Sequence, residues 1–236
     1  MRLDKLLTNL GVASRSGCKE ILKAGRVRVN GALWKDGAKN VPDGAEILLD
    51  GKALDTRLSR HLMLHKPSGV LTAREDNRQE TVMDLLPACY QAMGCMPVGR
   101  LDKDTTGILI LTTDGELAHR LIAPQRHVDK IYAAKVEGTL DESDIRAFAE
   151  GLPLKDFTAL PAHLEILSGS VGRLTVQEGK YHQVKRMFGA RGKKVIALHR
   201  HTFGPLTLDS ALAPGEYREL DEEEVRLLYE AAGLKE

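Results

Sequence analysis

The chain has 236 residues, 42% hydrophobic and 28% charged, with a formal net charge of +1; that is apolar material for a real core and a length that fits one or two domains. No apolar run reaches the roughly 18 residues that a membrane span needs, and the start, MRLDKLLTNL, lacks the continuous apolar stretch and small-residue cleavage site of a secretory signal. Cys18, Cys89 and Cys95 form no CxxC pair, which argues against a disulfide scaffold or structural zinc and for a reducing cytoplasm.

The charge is unevenly spread. Residues 1–60 carry a net +5 and residues 61–236 a net −4, and a basic excess gathered in a short N-terminal stretch points to a polyanionic partner. Along that stretch, Leu3, Leu6, Leu7 and Leu10 recur at helical spacing, with Gly11 able to close the helix. Ser14 is placed to cap a second helix running to Ala24, with Ile21 and Leu22 inward and Gly25 as its stop. RVRVNG alternates and ends in Asn30-Gly31, a hairpin signal, and a further strand, Glu46 to Leu49, follows the turn Pro42-Asp43-Gly44. Arg2, Lys5, Arg15, Lys19, Lys23, Arg26 and Arg28 line these elements. They form either an ordinary solvated face or an RNA-binding one, and the scarcity of acids among them favours the latter. RLDKLL, GVASR and IL-AGRVRVNG, over roughly residues 1–50, resemble the small RNA-binding domain shared by a small-subunit ribosomal protein, some tRNA synthetases and several RNA-modifying enzymes. The resemblance implies docking on structured RNA through phosphates and helix shape.

Residues 51–60, GKALDTRLSR, are polar and read as a linker, giving an RNA-binding domain with linker over 1–57 and a second domain over 58–236. Short segments rich in Val, Ile and Leu follow: HLMLHK, GVLTA, MPVG, ILILT, IYAAKVEG, HLEIL, RLTVQEG and KVIALHRHTFG. Helical patterns at Glu116–Ile122, Glu142–Glu150, His182–Ala190 and Glu222–Ala232 lie between and after them. Strict βαβ alternation is absent, so the expectation is an α+β domain on a mixed, largely antiparallel sheet, with the acidic C-terminal helix packed on it.

The stretch GRLDKDTTGILILTTDG, Gly99–Gly115, sets two acids, Asp102 and Asp104, at the mouth of a buried-looking strand. A calcium loop fails, because its closing position is Thr113 rather than Glu and a strand fills its second half. A phosphate loop lacks the GK[ST] ending, and the acids would repel phosphate. An Asp-x-Asp metal site, as in sugar-nucleotide transferases, and a plain surface turn whose aspartates cap local amides both remain open from the residues alone. His199 and His201 share a strand face without a Cys or acidic neighbour, so no metal is assigned.

As a whole, the stretch closely resembles the catalytic motif of pseudouridine synthases of the RsuA-type branch. Other elements of that pattern follow in order: HKPSGVLT (His65–Thr72), with His where family members more often carry Asn; Lys130-Ile131-Tyr132; EGKYHQVKRMF (Glu178–Phe188) with VIALHR after it; and DSALAPGEYREL. The resemblance spans nearly the whole chain. It implies cofactor-free isomerisation of uridine to pseudouridine in small-subunit (16S) ribosomal RNA, at position 516, in a partly assembled particle, by a monomeric cytoplasmic enzyme. Alternatives are a sister enzyme for large-subunit (23S) RNA, a metal-dependent glycosyltransferase built on Asp102 and Asp104, and a non-catalytic RNA-binding assembly factor.

By the same resemblance Asp102 is the acting carboxylate, whether it attacks the sugar, adds to the base or takes the C2′ proton. Shielding its charge from water costs several kcal/mol unless a cation compensates. Lys185 in QVKR is the expected partner and Arg186 the fallback, because adjacent side chains on a helix or strand face different ways. Tyr132 is the candidate to stack on the uracil, a contact of the order of 1–3 kcal/mol. Arg100 would orient a phosphate or fill the gap left by a flipped nucleotide. Lys130 and Arg186 complete the expected RNA contacts, in a chain whose run Lys180–His201 has seven Lys/Arg and no acid.

Overall fold

The computed structural model describes residues 1–235, which divide into two compact units. The smaller holds Met1–Arg60 together with Leu86–Cys95. In it, α1 (Leu3–Asn9) and α2 (Arg15–Lys23) bury Leu3, Leu6, Leu7, Cys18 and Leu22. The Ser14 hydroxyl accepts from Gly17 N at 3.2 Å and so caps α2. The strands β1 (Val27–Val29), β2 (Ala32–Leu33), β3 (Ile47–Leu49) and β4 (Lys52–Ala53) pair in the order β2-β1-β3-β4. Asn30 and Gly31 both take positive φ, 49° and 78°, as the tight β1–β2 hairpin demands.

Two features depart from the sequence expectation. The stretch expected as a linker begins as strand: Asp50 and Gly51, at φ 51° and 79°, turn the chain into β4. Leu54 and Leu58 pack on the small core, and the buried Arg60 reaches Asp55 at 2.8 Å. The unit also includes a later helix, α3 (Ala88–Ala92). Gly11 permits that packing, since a Cβ there would lie 2.9 Å from both Ala92 Cβ and Cys89 Cα.

The larger unit is built on β5 (His61–Lys66), β6 (Met96–Pro97), β7 (Thr106–Thr112), β8 (Lys130–Val136), the small pair β9 (Leu152–Pro153) and β10 (Thr158–Ala159), β11 (His163–Ser168), β12 (Val171–Val176), β13 (Val195–Phe203), β14 (Leu206–Thr207) and β15 (Tyr217–Glu219). The main sheet runs β11-β12-β8-β13-β7-β5-β15, with β14 on β13 and β6 on β7. Every pairing is antiparallel except β7 with β13, where Thr106 faces His199 and Gly107 faces Arg200. This is the mixed, largely antiparallel α+β sheet expected. GVLTA forms only an isolated bridge, Leu71 with Thr81.

Among the described residues the α-helices of this unit are α4 (Gly115–Ile122), α5 (Glu142–Glu150), α6 (Gln183–Ala190) and α7 (Glu222–Ala232). Helices α4 and α7 share a core with Met63, Ile108, Ile110 and Phe203 from the sheet. Asp114 caps α4 through Oδ1, and its Oδ2 accepts from the Tyr229 hydroxyl of α7 at 2.6 Å. Because β7 is buried on both faces, the loop entering it at Thr106 is anchored to the rigid centre of the sheet. Among the described residues no helix is long and apolar enough to cross a membrane.

Candidate active site

The loop Leu101–Thr105 is held from below by the segment that follows β5. Thr72 Oγ1 donates to the Leu101 carbonyl at 2.8 Å and accepts from Leu101 N at 3.2 Å. Gly69 N donates to the Lys103 carbonyl at 2.8 Å. Lys66 lies fully buried beneath, and its ammonium donates to the carbonyls of Pro67 (2.9 Å), Lys103 (3.1 Å) and Thr105 (3.1 Å). Burial drives the Lys66 pKa down to about 8, with the nearby carboxylates of Asp104 and Asp102 opposing the shift. HKPSGVLT is therefore the seat of the aspartate loop. His65 turns away from that loop: its Nδ1 lies 2.8 Å from the Leu212 carbonyl, and its ring meets His199 edge-on at 5.6 Å.

Above the loop stands α6. Lys185 Nζ lies 3.0 Å from Asp102 Oδ2 and 2.5 Å from Asp104 Oδ1, one cation shared by two acids. Burial acts to lower the Lys185 pKa, but the hydrogen bonds it donates to Asp104 and Asp102 outweigh it, and the net displacement is upward. Lys185 in turn holds the Asp104 carboxyl below its usual range. Arg186, one residue on, turns to Asp156 and lies over the Phe157 ring at 4.9 Å. Of the two candidate cations, Lys185 is the one beside Asp102. Asp104 is not a self-contained turn cap but the second acid on Lys185.

Asp102 opens onto a cleft of about 50 Å³ lined also by Arg100, Thr105, Tyr132, Gln183 and Leu198. Tyr132 is 9% exposed at its wall. The Thr105 hydroxyl is buried and has no hydrogen-bond partner among the described residues. Asp104 and Lys185 instead border a separate groove of about 450 Å³ with Ser68, Thr106, Lys135 and Ile196. Thr106 Oγ1 lies 2.9 Å from His199 Nδ1, and burial, with His65 and His201 nearby, keeps the His199 pKa low.

Gln183 fixes the start of α6: its Nε2 donates to Glu178 Oε2 at 2.9 Å, and its Oε1 accepts from Lys180 N at 3.0 Å. His182 precedes it in the left-handed region (φ 50°), with Nε2 3.6 Å from Asp102 Oδ1. Nothing in the sequence singles out Lys66, Thr72 or His182. All three lie inside the quoted motifs, but neither burial nor backbone geometry can be read from a motif.

Among the expected RNA contacts, Arg2, Lys5, Arg15, Lys19, Lys23, Arg26, Arg28 and Arg100 are exposed. Arg2, Lys5, Arg15 and Lys19 line one recess of about 400 Å³ in the small unit, although Arg2 pairs with Asp4 and Arg26 with Asp50. Lys130 corrects the expectation. It is 6% exposed, donates to the carbonyls of Val128 (2.7 Å) and Gln177 (3.2 Å), and has its pKa brought to about 8 by burial and then by Arg200. Its ammonium is taken up by these two carbonyls and is not displayed on the surface.

A charged lysine lodged against a carboxylate at the lip of a cleft suits a reaction that needs a fixed anion beside a substrate. The family model described as RNA pseudouridylate synthase matches residues 60–190, and the S4 domain model matches residues 1–47. The chain belongs to the RNA pseudouridylate synthase family. It is 47% identical, over 98% of its length and 99% of the relative's, to a Bacillus subtilis protein described as an uncharacterized RNA pseudouridine synthase. It is 40% identical to the ribosomal small subunit pseudouridine synthase A of Pseudomonas aeruginosa, over 95% of this chain and 99% of that one. A crystal structure of a pseudouridylate synthase superposes with a TM-score of 0.69 at 35% identity, covering 97% of this chain and 99% of that one. In this pseudouridine synthase the small unit carries the S4 domain, and the cleft at Asp102 lies within the span of the synthase model.

Proposed function

We propose that this pseudouridine synthase isomerises one uridine of small-subunit ribosomal RNA, position 516 in the numbering implied by the family resemblance, and that Asp102 is its catalytic carboxylate. The observation that carries the reading is the Lys185 ammonium 3.0 Å from Asp102 at the cleft lip. Relatives matched over nearly their full length, from Pseudomonas aeruginosa and Salmonella typhimurium, are named for the small ribosomal subunit, which supports that substrate.

In the reaction the N1–C1′ bond of uridine breaks, a C1′–C5 bond forms, the C5 proton leaves and N1 gains one. Electrons balance without an oxidant or reductant, so the chemistry calls for no cofactor. Asp102 supplies the anion beside the ribose and base, and Lys185 keeps it charged in the occupied cleft. Tyr132 offers its ring to the detached uracil. The target uridine must leave its stack to reach the cleft, and Arg100, which lines it, would meet the phosphates around it. The S4 domain docks the RNA, in a partly assembled subunit, with the enzyme acting as a cytoplasmic monomer.

The test is pseudouridine mapping of ribosomal RNA from cells with and without the chain, and with Asp102→Asn in its place. The expected result is loss of one small-subunit site in both altered strains. An intact small-subunit map with one large-subunit site lost would instead assign the chain to the large subunit. Full modification by Asp102→Asn would remove the carboxylate from the mechanism.

A further inference from the structure

Beside the cleft stands an aromatic pair that the reaction described so far does not use. Tyr181 is 77% exposed, among the most exposed large apolar side chains described. Its ring stacks on that of His182, with centroids 3.8 Å apart and planes 19° from parallel. His182 in turn stands 3.6 Å from Asp102 Oδ1. From the carboxylate outward the order is Asp102, His182, Tyr181.

The pair is held in position. Gln183 locks the following turn through Glu178 and Lys180 N, and Arg186 donates to the His182 carbonyl through its backbone and approaches the Tyr181 carbonyl at 3.4 Å through its guanidinium. An aromatic ring left open to water gains nothing from that exposure, and a fixed ring has already lost much of the freedom that stacking on a ligand would remove. The chemistry around it suits a nucleic acid. Lys180 and Arg186, paired with Glu178 and Asp156, flank the ring on the chain and lie over Phe157 at 4.0 and 4.9 Å, and Tyr181 itself lies in the run Lys180–His201, which contains no acid.

Resting on the pseudouridine synthase reading, we infer that the outer face of Tyr181 is a stacking subsite for the base next to the target uridine in the same strand, with His182 the positioning residue that sets its distance from Asp102. Once the uridine is extruded, its neighbour loses one stacking partner, and Tyr181 replaces it. A base stacked on one aromatic ring contributes equally before and during the chemical step, so the contact acts on RNA affinity and leaves turnover nearly untouched.

The experiment uses the full chain and small-subunit ribosomal RNA carrying tritium at uridine C5, the hydrogen that the reaction releases. Two further RNAs carry 2-aminopurine, one on each side of the mapped uridine. Tyr181→Ala is expected to raise KM by about 5- to 160-fold, the range of one base–aromatic stack, with kcat within about twofold. Tyr181→Phe and Tyr181→Trp should retain the wild-type KM. The fluorescence of one 2-aminopurine RNA should be quenched by the wild type and by Tyr181→Phe but not by Tyr181→Ala. His182→Ala should relax that quenching, and His182→Asn, which keeps a planar polar group, should restore part of it. An unchanged KM with undiminished quenching in Tyr181→Ala overturns the inference, as does a fall in kcat at constant KM. If the wild type releases no tritium from this RNA, the functional reading falls and the inference with it.

Discussion

The lysines around Asp102 in the larger unit and the basic cluster on the helices of the smaller one are used in opposite ways. In the larger one, Lys66 and Lys185 are immobilised: the first donates to three carbonyls in a fully buried position, the second is shared by two carboxylates at the cleft. In the smaller one, Lys5, Arg15, Lys19 and Lys23 stand in water, and the pairs Arg2–Asp4 and Arg26–Asp50 are surface pairs of little energetic weight. The difference separates two tasks. A reacting anion needs a counter-charge that cannot relax away, at a cost in desolvation. Docking on a polyanion needs charges that remain hydrated, exchange ions and act additively.

That contrast makes the variants sort into kinds. The largest effect is expected from Asp102→Asn, which should lower kcat by at least on the order of 10³-fold while RNA affinity, followed by filter binding, stays near wild type. Lys185→Ala should lower kcat by roughly 10²-fold, and Lys185→Arg should recover part of that in single-turnover assays. Lys66→Met removes a donor from three carbonyls, of which that of Lys103 keeps Gly69 N; a loss of about 1–3 kcal/mol in denaturant unfolding and about tenfold in kcat is expected as the aspartate loop shifts. The triple change Lys5→Ala, Arg15→Ala, Lys19→Ala should spare kcat at saturating RNA. Its signature is a shallower salt dependence, with the slope of log affinity falling by about 0.7–0.9 for each phosphate that is no longer neutralised. Loss of kcat in the triple variant, or a changed salt slope in Lys185→Ala, would break the division between the units.

A further effect is in pH. The Lys66 pKa is about 8 in the fold, below the ordinary lysine value of 10.5. Between those values the unfolded chain binds more protons, so the wild type should gain stability relative to Lys66→Met as pH rises from about 8 to 10.5, by no more than about 1.4 kcal/mol per unit. Lys185, whose pKa is raised, works in the opposite sense at higher pH: its contribution is complete below 10.5 and is lost as pH rises through its own elevated value. Chemical denaturation of both proteins at several pH values measures the difference.

Helix ends are legible because their signals are local. Ser14 and Gly25 bracket α2 as expected, and Glu142–Glu150 and Glu222–Ala232 match the expected spans, each closed at its start by a capping box from Asp141 or Asp221. The β3–β4 hairpin carries an Asp50-Gly51 signal of the same kind, but the polar run after it masks that signal and reads as linker. The short helix α3 has no side-chain cap and too few residues for a period to show. Within the site, the motifs mark Asp102, while the choice between Lys185 and Arg186 depends on the face that α6 turns to the loop. Lys130 misleads because a lysine whose ammonium is satisfied by carbonyls has the same sequence pattern as one that meets phosphate. Long-range hydrogen bonds, such as those joining Lys66 to the aspartate loop, leave no local trace.

Gly107 ties these observations together. It sits at φ 111°, against the backbone of Arg200 at the parallel join of β7 and β13, where a Cβ would strike the Arg200 carbonyl. The position therefore tolerates no side chain unless the two middle strands separate. The loop of Asp102 leads into β7 and the helix of Lys185 leads towards β13, so a methyl group at Gly107, touching neither, would disturb the pair of strands on which acid and cation are both mounted.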